Sequence, residues 1–319
     1  MFTLHELGEA VGIVRDAIPP TPAYRWPLLA ERAGLEVWVK HENHTPTGAF
    51  KVRGGLVYMA RRRAAGGVIG ATRGNHGQSL AFAGRGAGVP VAIVVPHGNS
   101  AEKNRAMRAL GAELIEHGHD FDAARAEAGR LAAERRLEMV PSFHPHLVQG
   151  VATYALELFQ TVRDLDAVYV PIGLGSGVCG LIRTRDLLGL RTEIVGVVTK
   201  GAPAYARSME AGRVVGSGQA RTFADGCAVR VPDPEAFAVI QKGAARVVEV
   251  DDDAVADAIR AFHEDTHNTA EGAGAVGLAG LLQERDRLRG RRAATILCGG
   301  NIDRPVLAKV LAGETPAPF

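Results

Sequence analysis

Residues 168–180, VYVPIGLGSGVCG, carry the reading of the fold. The apolar run from Val168 to Ile172 leads directly into glycines at 173, 175 and 177, and an amphipathic stretch suited to a helix follows. Strand, glycine turn and helix in that order form the repeating unit of an open α/β sheet. The turn also has a chemical use. Residues without a Cβ let backbone N–H groups converge on an anion, and the helix N-terminus adds the positive end of its dipole. Phosphate is the natural occupant of Gly173, Leu174, Gly175, Ser176 and Gly177. No Lys-Ser/Thr pair follows, and Val178 stands where the third glycine of Gly-x-Gly-x-x-Gly belongs, so the phosphate need not come from a nucleotide.

The same alternation runs along the chain. Apolar runs with strand character occur at 35–40, 68–72, 91–96, 113–116, 139–142, 167–172, 194–199, 247–250 and 294–298. Helical patterns separate them at 101–110, 122–136, 150–161 and 252–267. Nine strands divided by helices predict an α/β protein with mostly parallel, open twisted sheets covered on both faces. They fit more comfortably into two sheets than one, although no change of composition marks a domain boundary.

Composition narrows the function class. The chain has 319 residues, enough for about two domains, with 46% hydrophobic and 23% charged residues. No apolar run reaches the roughly 20 residues of a membrane span. The N-terminus has no basic segment followed by an apolar one. Cys179, Cys227 and Cys298 are far apart and form no CxxC, which argues for a reducing compartment and against a thiolate zinc site. Net charge is only +2, and the basic cluster Arg61-Arg62-Arg63 lacks interleaved aromatics, so it reads as a solvated helix face rather than a nucleic-acid surface. A soluble cytoplasmic enzyme is expected.

Three further segments carry chemistry. In HENHTPTGAFKVRG, residues 41–54, a Pro- and Gly-containing turn ends at Lys51 between Phe50 and Val52. Desolvation and a nearby helix start both lower a lysine pKa, which suits Schiff-base formation. In ATRGNHGQ, residues 71–78, Thr72, Arg73, Gly74, Asn75 and His76 lie between a strand and a helix and offer hydrogen bonds to a carboxylate or phenolate. In ILCGGNID, residues 296–303, a strand ends in Cys298 beside two glycines. A buried thiol there can simply fill space or lie against a neutral ring nitrogen.

Together these segments resemble the fold type II (tryptophan synthase β-like) pyridoxal-phosphate enzymes, and within them the threonine/serine dehydratase and serine racemase branch. The resemblance runs from about Pro20 to Asp303 and includes TFADGCAV at 222–229 and AEGAG at 270–274. It implies two α/β domains with pyridoxal 5'-phosphate in the cleft between them: a large one from residues 1–63 and 145–319, and a small one from 64–144. It implies Lys51 as the lysine bonded to the cofactor, with Phe50 beside it, and Asn75 at the phenolic oxygen. Gly173 through Gly177 would hold the phosphate, and Cys298 would face the ring nitrogen. The amino-acid substrate would meet Thr72, Arg73, Gly74 and His76. A thiol leaves the ring nitrogen essentially unprotonated, which weakens the electron sink and suits prompt β-elimination after loss of the Cα proton. The implied activity is an ammonia-lyase that converts a 3-hydroxy amino acid such as L-threonine or L-serine, or a bulkier or more polar analogue, to a 2-oxo acid and ammonia. A homodimer is also implied, and no regulatory domain is expected after Asp303.

Val52 agrees with the branch, since sulfhydrylases and threonine synthases carry aspartate at that place, and it points away from β-replacement. Three features depart from the branch: Ala49, Arg73 and the cation site. Ala49 replaces a common serine two residues before the lysine. Arg73 occupies the place of the racemase's second catalytic serine, so racemisation is not expected, and this cation could contact the substrate. The acidic residues of the branch's cation site would align near Thr199 and Tyr205, so no metal is expected. A competing pattern, His263-Glu264-Asp265-Thr266-His267, matches the H-E-x-x-H of zinc hydrolases if both imidazoles share one helical face.

Overall fold

The computed structural model describes residues 1–318 and contains ten strands in two sheets. The strands are β1 (Ala23–Arg25), β2 (Glu36–His41), β3 (Val68–Ala71), β4 (Val91–Val95), β5 (Glu113–Glu116), β6 (Glu138–Met139), β7 (Ala167–Pro171), β8 (Glu193–Thr199), β9 (Arg246–Val250) and β10 (Arg292–Leu297). The larger sheet has the order β1-β2-β10-β7-β8-β9, and the smaller one β5-β4-β3-β6. Every pairing is parallel except β1 with β2. Parallel strands need long crossovers, and the helices that supply them cover the sheets, as the alternating pattern requires.

The expected strands are present with shifted ends, and one strand escaped the sequence reading. β1 is only three residues long, lies between Pro22 and Pro27, and exposes Tyr24 and Arg25, so it carries no apolar run to detect. Proline-flanked strands of this kind belong at sheet edges, where β1 sits. The run at 139–142 forms strand only at Glu138–Met139, because the chain leaves the sheet edge toward the next helix. That helix, Pro145–Thr161, starts five residues before the expected 150. Pro145 occupies its first turn, and the His144 side chain accepts a hydrogen bond from the His146 N–H.

The main hydrophobic core lies against the larger sheet, whose strand β7 is buried along residues 167–170. Two smaller clusters flank the four-stranded sheet on opposite faces. One contains Val68, Ile93 and Leu80; the other contains Ile69, Val94 and Leu131. Alternate residues of β3 and β4 thus feed different cores.

The helix Lys51–Arg61 crosses between these regions, packing against the helices Asn75–Ala87 and Pro145–Thr161. The crossing is close. A Cβ on Gly54 would lie 2.8 Å from the Leu147 carbonyl oxygen, and one on Gly55 would lie 2.3 Å from Ser79 Oγ. The paired glycines after Lys51 are therefore a packing requirement that lets the helix lie this close to its two neighbours.

Candidate active site

Lys51 is the first residue of its helix, and its position follows from backbone pairing. The Phe50 N–H donates to the Cys298 carbonyl at 2.9 Å, and Ala49 bridges Gly299. The lysine segment is thus laid against the C-terminal end of β10, where ligands gather in open parallel sheets. Burial pushes the Lys51 ammonium below its usual pKa, with Cys298 and Cys227 opposing that shift. Lys51 Nζ lies 3.4 Å from Ser176 Oγ and 5.2 Å from the centre of the Phe50 ring. Lysine and glycine loop therefore meet, as the sequence reading required of them.

The glycine loop ends at Gly175, which precedes the helix Ser176–Leu187 and provides no side chain to its free N–H groups. Gly175 has φ +106°, and a Cβ there would lie 2.7 Å from Ala236 Cβ. A Cβ on Gly173 would lie 2.4 Å from the Gly226 carbonyl oxygen. Two buried tyrosines fix the loop carbonyls: Tyr205 Oη donates to Leu174 at 2.9 Å and Tyr154 Oη to Gly177 at 3.1 Å. An uncapped helix N-terminus behind a bare, rigid backbone suits a phosphate.

Cys298 is buried, and its Sγ is 3.5 Å from the Ala273 carbonyl oxygen. Burial first, and the nearby Glu271 second, raise its pKa well above the usual thiol value, so the sulfur is neutral. His76 is also buried, with no hydrogen-bond partner at Nε2. Desolvation and the Lys51 charge lower its pKa to about 3, which leaves a neutral imidazole. Thr72 accepts the Gly74 N–H at 2.9 Å, so its hydroxyl shapes the turn that presents Asn75. Arg73 lines a cavity of about 130 Å³ together with Ser100, Lys103, Asp225, Glu271 and Asn301.

Several of these residues received no site role from sequence. Glu271 Oε1 accepts from Asn75 Nδ2 at 2.5 Å, and Lys103 Nζ donates to Glu271 Oε2 at 3.1 Å and to Asp225 Oδ2 at 2.7 Å. Asn301 Nδ2 donates to Asn75 Oδ1 at 2.9 Å. Lys103 sits in a stretch, AEKNRAMRA, that reads as an ordinary surface helix, yet the residue is only 6% exposed. Its position reflects the meeting of distant segments rather than any local pattern.

Beneath the lysine helix lies a buried ion cluster. Arg53 Nε pairs with Glu42 at 2.7 Å, Arg53 Nη2 with Glu157 at 2.8 Å, and Lys40 with Glu157 at 2.6 Å. Two cations face two carboxylates, so the cluster is neutral overall, as burial demands.

The zinc-like pattern does not assemble. The helix Asp252–Thr266 stops before His267, which adopts a left-handed backbone (φ 52°), and Glu264 is paired with Arg32 at 2.8 Å. The two imidazoles therefore do not stand one helical turn apart, and the candidate base is already engaged. Among the described residues no group of three or more His, Cys, Asp or Glu side chains is arranged to hold a metal ion, and no helix is long and apolar enough to cross a membrane.

The chain belongs to the pyridoxal-phosphate-dependent enzymes, whose family pattern matches residues 14–299. It is 32% identical over 315 residues to an L-threonine ammonia-lyase of Thermotoga maritima, covering 98% of this chain and 78% of that one. It is 33% identical over 296 residues to a biosynthetic L-threonine dehydratase of Haemophilus influenzae, covering 91% of this chain but only 58% of the longer relative. The processed form of threonine deaminase isoform 2 from Solanum lycopersicum superposes with a TM-score of 0.90 at 30% identity, over 98% and 95% of the two chains. The fold is that of the fold type II group, two parallel-rich α/β sheets.

The donor set fits the cofactor. Lys51 brings an amine of depressed pKa to the uncapped N-terminus behind the glycine loop, Asn75 an oriented amide and Cys298 a neutral thiol, which are the groups that pyridoxal phosphate requires.

Proposed function

We propose that this protein is an ammonia-lyase acting on 3-hydroxy amino acids, with L-threonine and L-serine as the first substrates to test and bulkier or more polar analogues next. The observation that carries the reading is the buried Lys51 amine, 3.4 Å from the start of the uncapped glycine-loop helix and beside a neutral Cys298. The names of its relatives point the same way.

In this reading Lys51 holds the cofactor covalently, Gly173 through Gly177 hold its phosphate, Asn75 its phenolic oxygen and Cys298 faces its ring nitrogen. When bound, pyridoxal phosphate withdraws electrons from the substrate Cα and so acidifies the Cα proton. Once the substrate amine displaced it from the cofactor, Lys51 Nζ, poor at holding a proton because it is desolvated, would be a free amine able to accept the Cα proton as general base. Cys298, as a neutral thiol, supplies no charge to hold a proton on the ring nitrogen. The Thr72 hydroxyl and the free N–H groups at the start of the helix Asn75–Ala87 offer hydrogen bonds to the substrate carboxylate, with Gly74 shaping the turn between them, and the neutral His76 excludes water beside Lys51. Arg73 lines the cavity where the substrate side chain would lie, and it offers no hydroxyl for returning a proton to Cα. Elimination is therefore favoured over racemisation.

Residues 64–144 are read as the small domain and 1–63 with 145–319 as the large one. All four strands of the second sheet fall within that insertion, which has its own core. The protein is read as a cytoplasmic homodimer, and its three buried free cysteines suit a reducing compartment. Release of 2-oxo acid and ammonia from L-threonine, L-serine and a panel of larger 3-hydroxy amino acids tests the activity. No turnover of any member by cofactor-loaded protein would overturn it.

A further inference from the structure

Glu271 occupies the N-cap of the helix Gly272–Gln283 but does not cap it. A negative charge there is stabilised by the helix's own free N–H groups and dipole. This one turns away, to Asn75 Nδ2 and Lys103 Nζ. The carboxylate is 2% exposed, and the space for it is built in: a Cβ on Gly299 would lie 2.2 Å from Oε1. Lys103 is equally constrained. Its side chain passes over Gly74, where a Cβ would lie 2.4 Å from Lys103 Cδ, and Asp225 holds its ammonium from the other side at 2.7 Å.

The Asn75 amide is therefore gripped at both ends. Asn301, itself anchored to the Thr47 carbonyl at 2.8 Å, donates to Oδ1, so Oδ1 cannot exchange places with Nδ2. Glu271 accepts one of the two Nδ2 hydrogens. The second has no protein acceptor among the described residues. We propose that Glu271, fixed by Lys103, is a positioning residue that locks the Asn75 amide so that its remaining Nδ2 hydrogen is available to the phenolic oxygen of the cofactor. The inference rests on the reading of Asn75 given above, and it adds the residues that make that reading work. Residues from three separate segments (100–110, 225 and 271) converge to set one hydrogen-bond direction, and none of them needs to touch substrate.

The test is the absorbance of the cofactor-loaded protein without substrate. A donor to the phenolic oxygen favours its deprotonated, visible-absorbing form, and losing the donor moves absorbance toward the near ultraviolet. Asn75→Ala shows the full shift. Glu271→Gln keeps the shape but sets an amide against the Lys103 ammonium, and it is expected to show most of that shift with a lowered cofactor affinity. Combining Glu271→Gln with Asn75→Ala should add nothing further, because both act on one hydrogen bond. A Glu271→Gln spectrum equal to wild type, or a shift that persists undiminished in the Asn75→Ala background, overturns the proposal. Should Glu271→Gln fail to fold, Asn301→Ala releases the other end of the same amide and must move the spectrum in the same direction, and an unmoved spectrum overturns the proposal equally. Wild-type protein that takes up no cofactor would refute the functional reading itself, a result distinct from any of these.

Discussion

Replacing Arg53 with methionine tests whether the buried ion cluster is what holds the lysine helix in place. Arg53 is fully buried and donates six hydrogen bonds, two to Glu42, two to Glu157 and one each to Thr153 and Thr21. Methionine fills much of the same space but leaves two buried carboxylates facing Lys40 alone. Breaking a buried pair from one side costs about 3–5 kcal/mol. For a chain of this size that corresponds to a melting-temperature loss of about 4–8 °C. Thermal denaturation of cofactor-saturated protein reads this directly. Removing Glu157 as well (Arg53→Met with Glu157→Gln) leaves Lys40 opposite Glu42 at 3.8 Å, a balanced pair, and should recover part of the loss. The pH dependence supplies a second check. Burial works to raise the Glu157 pKa, but Arg53 and Lys40 more than offset it, so the folded-state value lies below 4.5. A depressed carboxylate contributes stability above its unfolded pKa and loses it as pH falls through the folded one. Wild type should therefore lose stability more steeply than Arg53→Met on acidification below 4.5. A melting temperature within about 2 °C of wild type for the single variant would refute the reasoning.

Other substitutions probe the site itself. Gly175→Ala forces a side chain onto φ +106° and against Ala236 Cβ. The strain, about 1–3 kcal/mol, should weaken cofactor binding by about fivefold to a hundredfold in equilibrium dialysis, and unchanged affinity would remove the glycine loop from the phosphate site. Arg73→Ala should alter the ranking of 3-hydroxy amino acids by kcat/KM, whereas a uniform effect across the panel would place Arg73 outside the side-chain pocket. His263→Ala should leave both activity and metal content unchanged, since Glu264 is committed to Arg32 and His267 lies beyond the helix; loss of stoichiometric zinc would reopen the hydrolase reading.

The α/β class was legible because parallel strands buried on both faces leave apolar runs that survive without alignment, as in β7 and β8. β1 left no such trace, because an exposed three-residue edge strand needs no apolar side chains. Lys51, Gly173 through Gly177 and Cys298 were readable as a candidate site only together, from the order and spacing of motifs that resemble one enzyme family, because a lysine in apolar company or a cysteine at a strand end is common by itself. Lys103 and Glu271 were not. Lys103 looks like a solvated helix lysine, and its burial depends on Asp225 and Glu271 arriving from more than 120 residues away. The competing H-E-x-x-H pattern illustrates the converse: five letters can match while the helix ends one residue too soon.

The central claim is that Lys51 carries the cofactor and takes the Cα proton. The visible spectrum of purified, cofactor-loaded protein, recorded for wild type and Lys51→Ala alongside 2-oxo acid release from L-threonine and L-serine, tests it most directly. Wild type should show a lysine-dependent visible band and 2-oxo acid release, with both lost in Lys51→Ala while the fold persists. A variant that keeps either the band or the turnover would contradict it.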